Sequence, residues 1–130
     1  MDLAFLGGRI LLGGMFFLFG MNHVLQFGGM STYAMSKRVP MARIAVFVTA
    51  LMLLGGGASL VLGVYPTYGI WVLVIFLIPT TFYMHNFWAI QDFASQSLET
   101  INFFKNIGLL GALLMMQLLP KPWPYSLHFG

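Results

Sequence analysis

The sequence predicts an all-α membrane protein, a four-transmembrane-helix bundle with both termini on the same side of the bilayer. Three observations carry that prediction. Of 130 residues, 59% are hydrophobic and 7% charged, against roughly 45–50% apolar and about 25% charged in an ordinary soluble domain. Four apolar runs each reach about the 20 residues that a spanning helix needs. Period-two alternation is absent, and the runs are too long for barrel strands. Nine formal charges cannot cover a chain of this size with a polar surface. A water-soluble globule is thereby excluded, and so is intrinsic disorder. Nucleic-acid binding is excluded as well, because the net charge of +3 comes from scattered residues with no basic stripe. The chain has no cysteine, which removes disulfides, thiolate metal sites and iron–sulfur clusters held by its own residues.

Residues 1–130 read as a single transmembrane domain with spans at about 3–26, 41–64, 67–91 and 101–119. The first span is retained rather than cleaved. Asp2 stands where a signal peptide carries base, Arg9 interrupts the early apolar stretch, and no A-x-A site follows. The first link, 27–40, is long enough for an interfacial turn or a short amphipathic helix. The second, around Tyr65-Pro66-Thr67, is so short that it forces an antiparallel hairpin. The third, 92–100, carries Asp92, Gln96 and Glu99. The tail from Pro120 to Tyr125 is helix-ending, and its aromatics suit an interface. His128 reads as a solvated tail residue.

An even number of spans places both termini on one side, called side A, with Arg9 and Lys121. Side B carries Lys37, Arg38, Arg43 and Lys105. Basic residues favour the cytoplasmic face. The expected location is therefore the cell (inner) membrane, multi-pass, with the termini outside and links 27–40 and 92–100 in the cytoplasm.

In a bilayer the informative side chains are the polar ones. Asn22 and His23 fall near the side-B end of the first span, and Arg43 in the first turn of the second. His85, Asn86, Trp88 and Asp92 fall in the side-B third of the third span, and Asn102, Lys105 and Asn106 in the opening turns of the fourth. The side-A ends are poorer in such groups. The asymmetry predicts a polar cavity or hydrogen-bonded network toward side B. If the third span is helical to its end, His85, Trp88 and Asp92 share one face. Asn22 and His23 point in different directions, so one of the two is expected to join the network. Asp92 is a partner for Lys105 or Arg43. His85 reads either as a donor to a proton or quinone oxygen, or as a structural histidine bonded to a neighbouring helix. His23 carries the same functional reading, or simply sits at the membrane interface. Paired haem ligation by His23 and His85 is disfavoured, and no metal site is expected.

Arg9 lies roughly 9 Å of helix rise inside the first span, where an unsatisfied charge costs about 2.5–3.5 kcal/mol at the bilayer centre. It either snorkels to lipid phosphate at side A, which is the expectation, or turns inward to hold the first span to the hairpin or the tail through carbonyl groups. Pro79, followed by Thr80 and Thr81, is expected to kink the third span. Gly55-Ser59-Gly63 and Gly108-Ala112 place small residues four apart, suited to close helix packing inside the bundle or to a dimer interface. The ten methionines read as adaptable filler.

Three segments, GRILLGGMFFLFGMNHV at 8–24, IPTTFYMHNFW at 78–88 and FFKNIGLLGALLMM at 103–116, resemble the signature blocks of the DoxX family of small four-span membrane proteins. The resemblance extends over essentially the whole chain. Arg9, His85, Asn86, Trp88, Lys105 and Asn106 are the positions that match its motifs. It implies a link to thiosulfate:quinone oxidoreductase or other membrane redox complexes. The expected function is therefore a membrane subunit of a quinone-linked redox complex. His85 and Lys105 would serve as donors, Trp88 would stack on the ring, and Asn22, His23, Asn86 and Asn106 would lie around them. Whether the chain is itself an enzyme stays open; its electron donor would come from a partner. Arg9, Arg43 and Asp92 are read as structural charges. The alternative is a non-catalytic subunit that scaffolds a larger membrane complex, or a homo-oligomer, through glycine faces. A solute carrier ranks third, because four spans are few for one.

Overall fold

The computed structural model describes residues 1–127. The described chain is helical: α1 (Asp2–Leu25), α2 (Phe27–Ser36), α3 (Ala42–Leu62), α4 (Pro66–Met84), a short 3-10 turn (Phe87–Ala89) and α5 (Phe93–Gln117). His128 falls outside the described residues. Three helical stretches are long and apolar enough to cross a membrane: Asp2–Leu25, Ala42–Leu62 and Pro66–Ala89. α5 has the length for a fourth span, at 25 residues, but its first half carries Ser95, Gln96, Glu99, Asn102, Lys105 and Asn106.

Two boundaries differ from expectation. α4 stops at Met84, with His85 as its C-terminal residue at φ −120°, rather than running to 91. His85, Trp88 and Asp92 therefore do not share a helical face. The break is stabilised from the next helix, where Gln96 Nε2 donates to the Phe87 and Ile90 carbonyls at 3.3 and 3.1 Å. Residues 93–100, expected to be a link, are the first turns of α5. Asp92 starts that helix by accepting from the Ser95 backbone N–H at 3.0 Å, an N-cap that satisfies one of the orphan donors. The 27–40 link holds the ten-residue α2.

α1 packs on α3 along glycine. A Cβ on Gly13 would lie 2.7 Å from the Gly57 carbonyl oxygen, and one on Gly57 would lie 2.5 Å from the Phe17 nitrogen. Only hydrogen fits on either side, so the two backbones meet directly, the arrangement by which membrane helices gain packing energy that water cannot supply. Gly55 and Gly108, from the small-residue stripes, face open space instead. Around this contact Phe16, Leu53, Leu60, Leu73, Leu77 and Leu113 form one core shared by all four long helices. The α3–α4 turn is tight. Gly63 sits at φ 72°, and a side chain there would also collide with Ser126. Ser59 Oγ donates to the Val64 carbonyl at 2.6 Å, and Pro66 opens α4 where its missing N–H costs nothing.

Arg9 points inward, which overturns the snorkelling expectation; its side chain is fully buried. Nε donates to Leu60 O at 3.1 Å and Nη2 to Val61 O at 2.9 Å. These carbonyls belong to the last turn of α3, which has no intrahelical partners and carries the negative end of the helix dipole. Nη1 donates to Pro124 O and Nη2 to Tyr125 O, which fastens the tail. The guanidinium lies 5.5 Å from the Trp123 ring centre and 5.7 Å from that of Phe5. A rigid fork with five donors matches this set of acceptors. The inward choice wins because the end of α3 offers the guanidinium what lipid phosphate would have offered.

Candidate functional site

Along the second half of α4, a cavity of about 340 Å³ is lined by all five α-helices, four of which bring polar side chains or methionines to it. Asn22 and His23 come from the last turns of α1, Met30 and Tyr33 from α2, Thr80 and Met84 from α4, His85 from the residue that caps α4, and Asn102, Lys105 and Asn106 from α5. The i, i+3, i+4 spacing of the last three explains why α5 delivers them on one face. Asn22 and His23 both line the space, although one had been expected to turn away. His23 Nδ1 is 2.9 Å from Phe19 O, one turn back. A carbonyl only accepts, so Nδ1 carries the proton, and Nε2 is the nitrogen left for other partners.

His85 is held by Glu99, a residue of the 92–100 segment that the sequence predicts to be a link. Its Nδ1 lies 2.6 Å from Glu99 Oε2, with the two side chains 23% and 12% exposed. Asn102 Nδ2 donates to Glu99 Oε1 at 3.4 Å. The carboxylate thus fixes His85 as an Nδ1–H donor and leaves Nε2 as its second functional atom. The signal for Glu99 was available: it stands three residues before Asn102 and six before Lys105, on the side of a helix extended back to Asp92.

The other predicted positions are not on this cavity. Asn86 Oδ1 accepts from Lys37 Nζ at 3.0 Å, which ties the end of α2 to the end of α4. Trp88 is 56% exposed and packs edge-on against Phe87 and Phe103 at 5.3 and 5.7 Å, in an aromatic group that includes Phe82. Arg43 lies over the Phe27 ring at 5.3 Å. Asp92 caps α5 rather than pairing with Lys105 or Arg43. The bond from the Ser95 backbone N–H holds its carboxyl below the usual carboxylate range.

A second cavity, of about 560 Å³, adjoins the first and is lined by α1, α2, α3 and α4. Its walls include Met30, Ala34, Val46, Phe76, Pro79 and Met84, and its surface is mainly apolar.

Long apolar helices packed on glycine, with polar groups converging at one end, define an integral membrane protein of the small helical kind. The model of the family described as DoxX matches residues 4–86, and the chain belongs to that family. It is similar to the inner membrane protein YphA of Escherichia coli (strain K12), with 26% identity over 108 residues, 83% of this chain and 76% of that protein. No solved structure matches.

Proposed function

We propose that the chain is a four-span inner-membrane subunit of a quinone-linked redox complex that holds the quinone headgroup in the polar cavity. The observation that carries this reading is the space itself. His85, Lys105 and Asn22 do not bond to one another but enclose about 340 Å³. A purely structural network would be expected to close on itself. A quinone oxygen needs donors at a dry, lipid-depth position. Lys105 and the amides of Asn106 and Asn22 supply N–H groups, and His85, oriented by Glu99, supplies a nitrogen through which a proton can pass. Trp88 has no ring-stacking part in this reading, because it lies outside the cavity. α5 completes the fourth span, with its polar face inward on the cavity. The basic residues put the His85 end in the cytoplasm and the termini outside. The name of the YphA relative agrees with an inner-membrane location. The electron donor is supplied by a partner.

Purification in mild detergent followed by organic extraction tests this. Quinone retained by the wild-type chain and lost from His85→Ala, with the fold intact, is the expected result. A quinone-free wild-type chain contradicts the proposal.

The scaffolding alternative has one observation in its favour. Leu113 is the one buried residue of α5, and Gly108 and Gly111 on that helix meet nothing within 4 Å. A partner helix could approach there closely. Crosslinking from α5 to a second protein in native membranes, with no quinone bound, would favour that reading.

A further inference from the structure

The two cavities adjoin along a shared wall. Asn22, His23, Met30, Phe76 and Met84 are among the residues that line both. At this waist between them the His23 and Phe76 rings meet edge-on, 6.5 Å apart. Met30 and Met84 flank them, and unbranched methionine adapts its shape at little cost. The two chambers differ in chemistry. The smaller one carries His85, Asn102, Lys105 and Asn106. The larger one has none of these four; beyond the shared residues its polar members are Gln26, Thr49 and Tyr83, and the Thr49 hydroxyl is already spent on the Ala45 and Val46 carbonyls at 2.8 and 3.1 Å. At about 560 Å³ the apolar chamber is larger than the polar one, and it falls within the ~300–1,000 Å³ range of ligand pockets.

Resting on the headgroup reading above, we infer that the ligand is a ring carrying a long hydrocarbon chain. The polar chamber holds the ring, and the chain passes the His23–Phe76 waist into the chamber between α2, α3 and α4. A ring without a chain leaves the larger chamber unfilled. Lipid already solvates a hydrocarbon chain, so selectivity for it comes from fit rather than from escape from water. Filling the chamber should therefore expel the chain and spare the ring.

The test uses the full chain in nanodiscs and two probes: a dimethoxy-methyl-benzoquinone without a chain, and the same ring with a decyl chain. Thr49→Phe and, separately, Gly29→Leu add bulk at the walls of the larger chamber; a Cβ on Gly29 would meet nothing within 4 Å, so the added side chain can be accommodated at its root. Thr49→Val is the control that adds none. The decyl compound should bind Thr49→Phe and Gly29→Leu at least tenfold more weakly than wild type or Thr49→Val, while the chainless ring binds all four alike. Equal binding of the decyl compound to all four chains overturns this inference and leaves the headgroup site standing. Failure of both compounds to bind wild type overturns the headgroup site, and this inference with it.

Discussion

His85 Nδ1 lies 2.6 Å from Glu99 Oε2, a hydrogen bond across the junction between α4 and α5. The contact joins a helix end to the side of the next helix. Removing the carboxylate should therefore act on the histidine first. In Glu99→Leu the Nδ1–H loses its acceptor, at a cost of about 1–3 kcal/mol for a partly buried donor. Nitrogen NMR of His85 should show one tautomer in wild type, with the proton on Nδ1, and a mixture in Glu99→Leu. Glu99→Gln keeps an acceptor but not the charge, and should fall between the two.

Arg9 should dominate the stability of the opposite end. Arg9→Met leaves the Leu60 and Val61 carbonyls without their donor and releases the tail carbonyls of Pro124 and Tyr125. A loss of roughly 2–6 kcal/mol is expected, at ~1–3 for each of the two helix carbonyls left unpaired. Arg9→Lys should recover part of it, because one ammonium cannot span the whole acceptor set. Thermal melting measures the loss, and limited chymotryptic proteolysis should cut the tail after Tyr125 in Arg9→Met well before it cuts wild type.

Much of this was legible in the sequence, and the exceptions have physical reasons. The three strongest spans were visible as apolar runs, with ends correct to within a few residues at α1 and α3. The end of α4 was not, because Phe87, Trp88, Ala89 and Ile90 keep hydropathy high through a segment that is no longer α-helix. The start of α5 was hidden by the opposite effect. Its first turns are polar, and a polar stretch resembles a link although Asp92 offers an N-cap. That error concealed Glu99. The polar layer was recovered because depth along a helix follows from counting residues. Side-chain direction does not, so Trp88 was placed at the cavity when it lies outside, and Arg9 was turned toward lipid when its acceptors lie on α3 and the tail.

Glycine placement gives a sharp contrast. Gly57→Leu puts a side chain into the Phe17 backbone and should prevent the α1–α3 contact, costing more than the ~1–3 kcal/mol of ordinary overpacking because neither backbone can yield. Gly55→Leu meets open space and should leave the melting temperature within a degree or two of wild type, on the order of the ±0.5 kcal/mol of a surface change. Similar destabilisation in the two variants would contradict the packing described for α1 and α3.

Acid should loosen the start of α5. The Asp92 carboxyl is held below its ordinary value in the folded chain by the Ser95 N–H. Its contribution is therefore complete above the unfolded carboxylate pKa, about 3.9, and is lost as pH falls through the lower folded value. The protection factors of the Phe93–Gln96 amides, taken against the intrinsic exchange rate at each pH, should fall on acidification below about pH 4. Asp92→Asn, which caps without a charge, should remove the pH dependence.

Because the chain has no cysteine, single cysteines report topology cleanly. Leu127→Cys should react with a membrane-impermeant maleimide in intact cells, and Ser36→Cys only after lysis. The reverse pattern would overturn the orientation proposed from the basic residues.

The proposed quinone headgroup between His85, Lys105 and Asn22 is tested most directly by photo-crosslinking with an azido-benzoquinone, mapped by peptide mass spectrometry. Adducts should fall on the peptides that contain Asn22–His23, His85 and Asn102–Asn106, and excess unlabelled quinone should suppress them. Labelling confined to the outer faces of α3 and α5, or unaffected by competitor, would contradict the account.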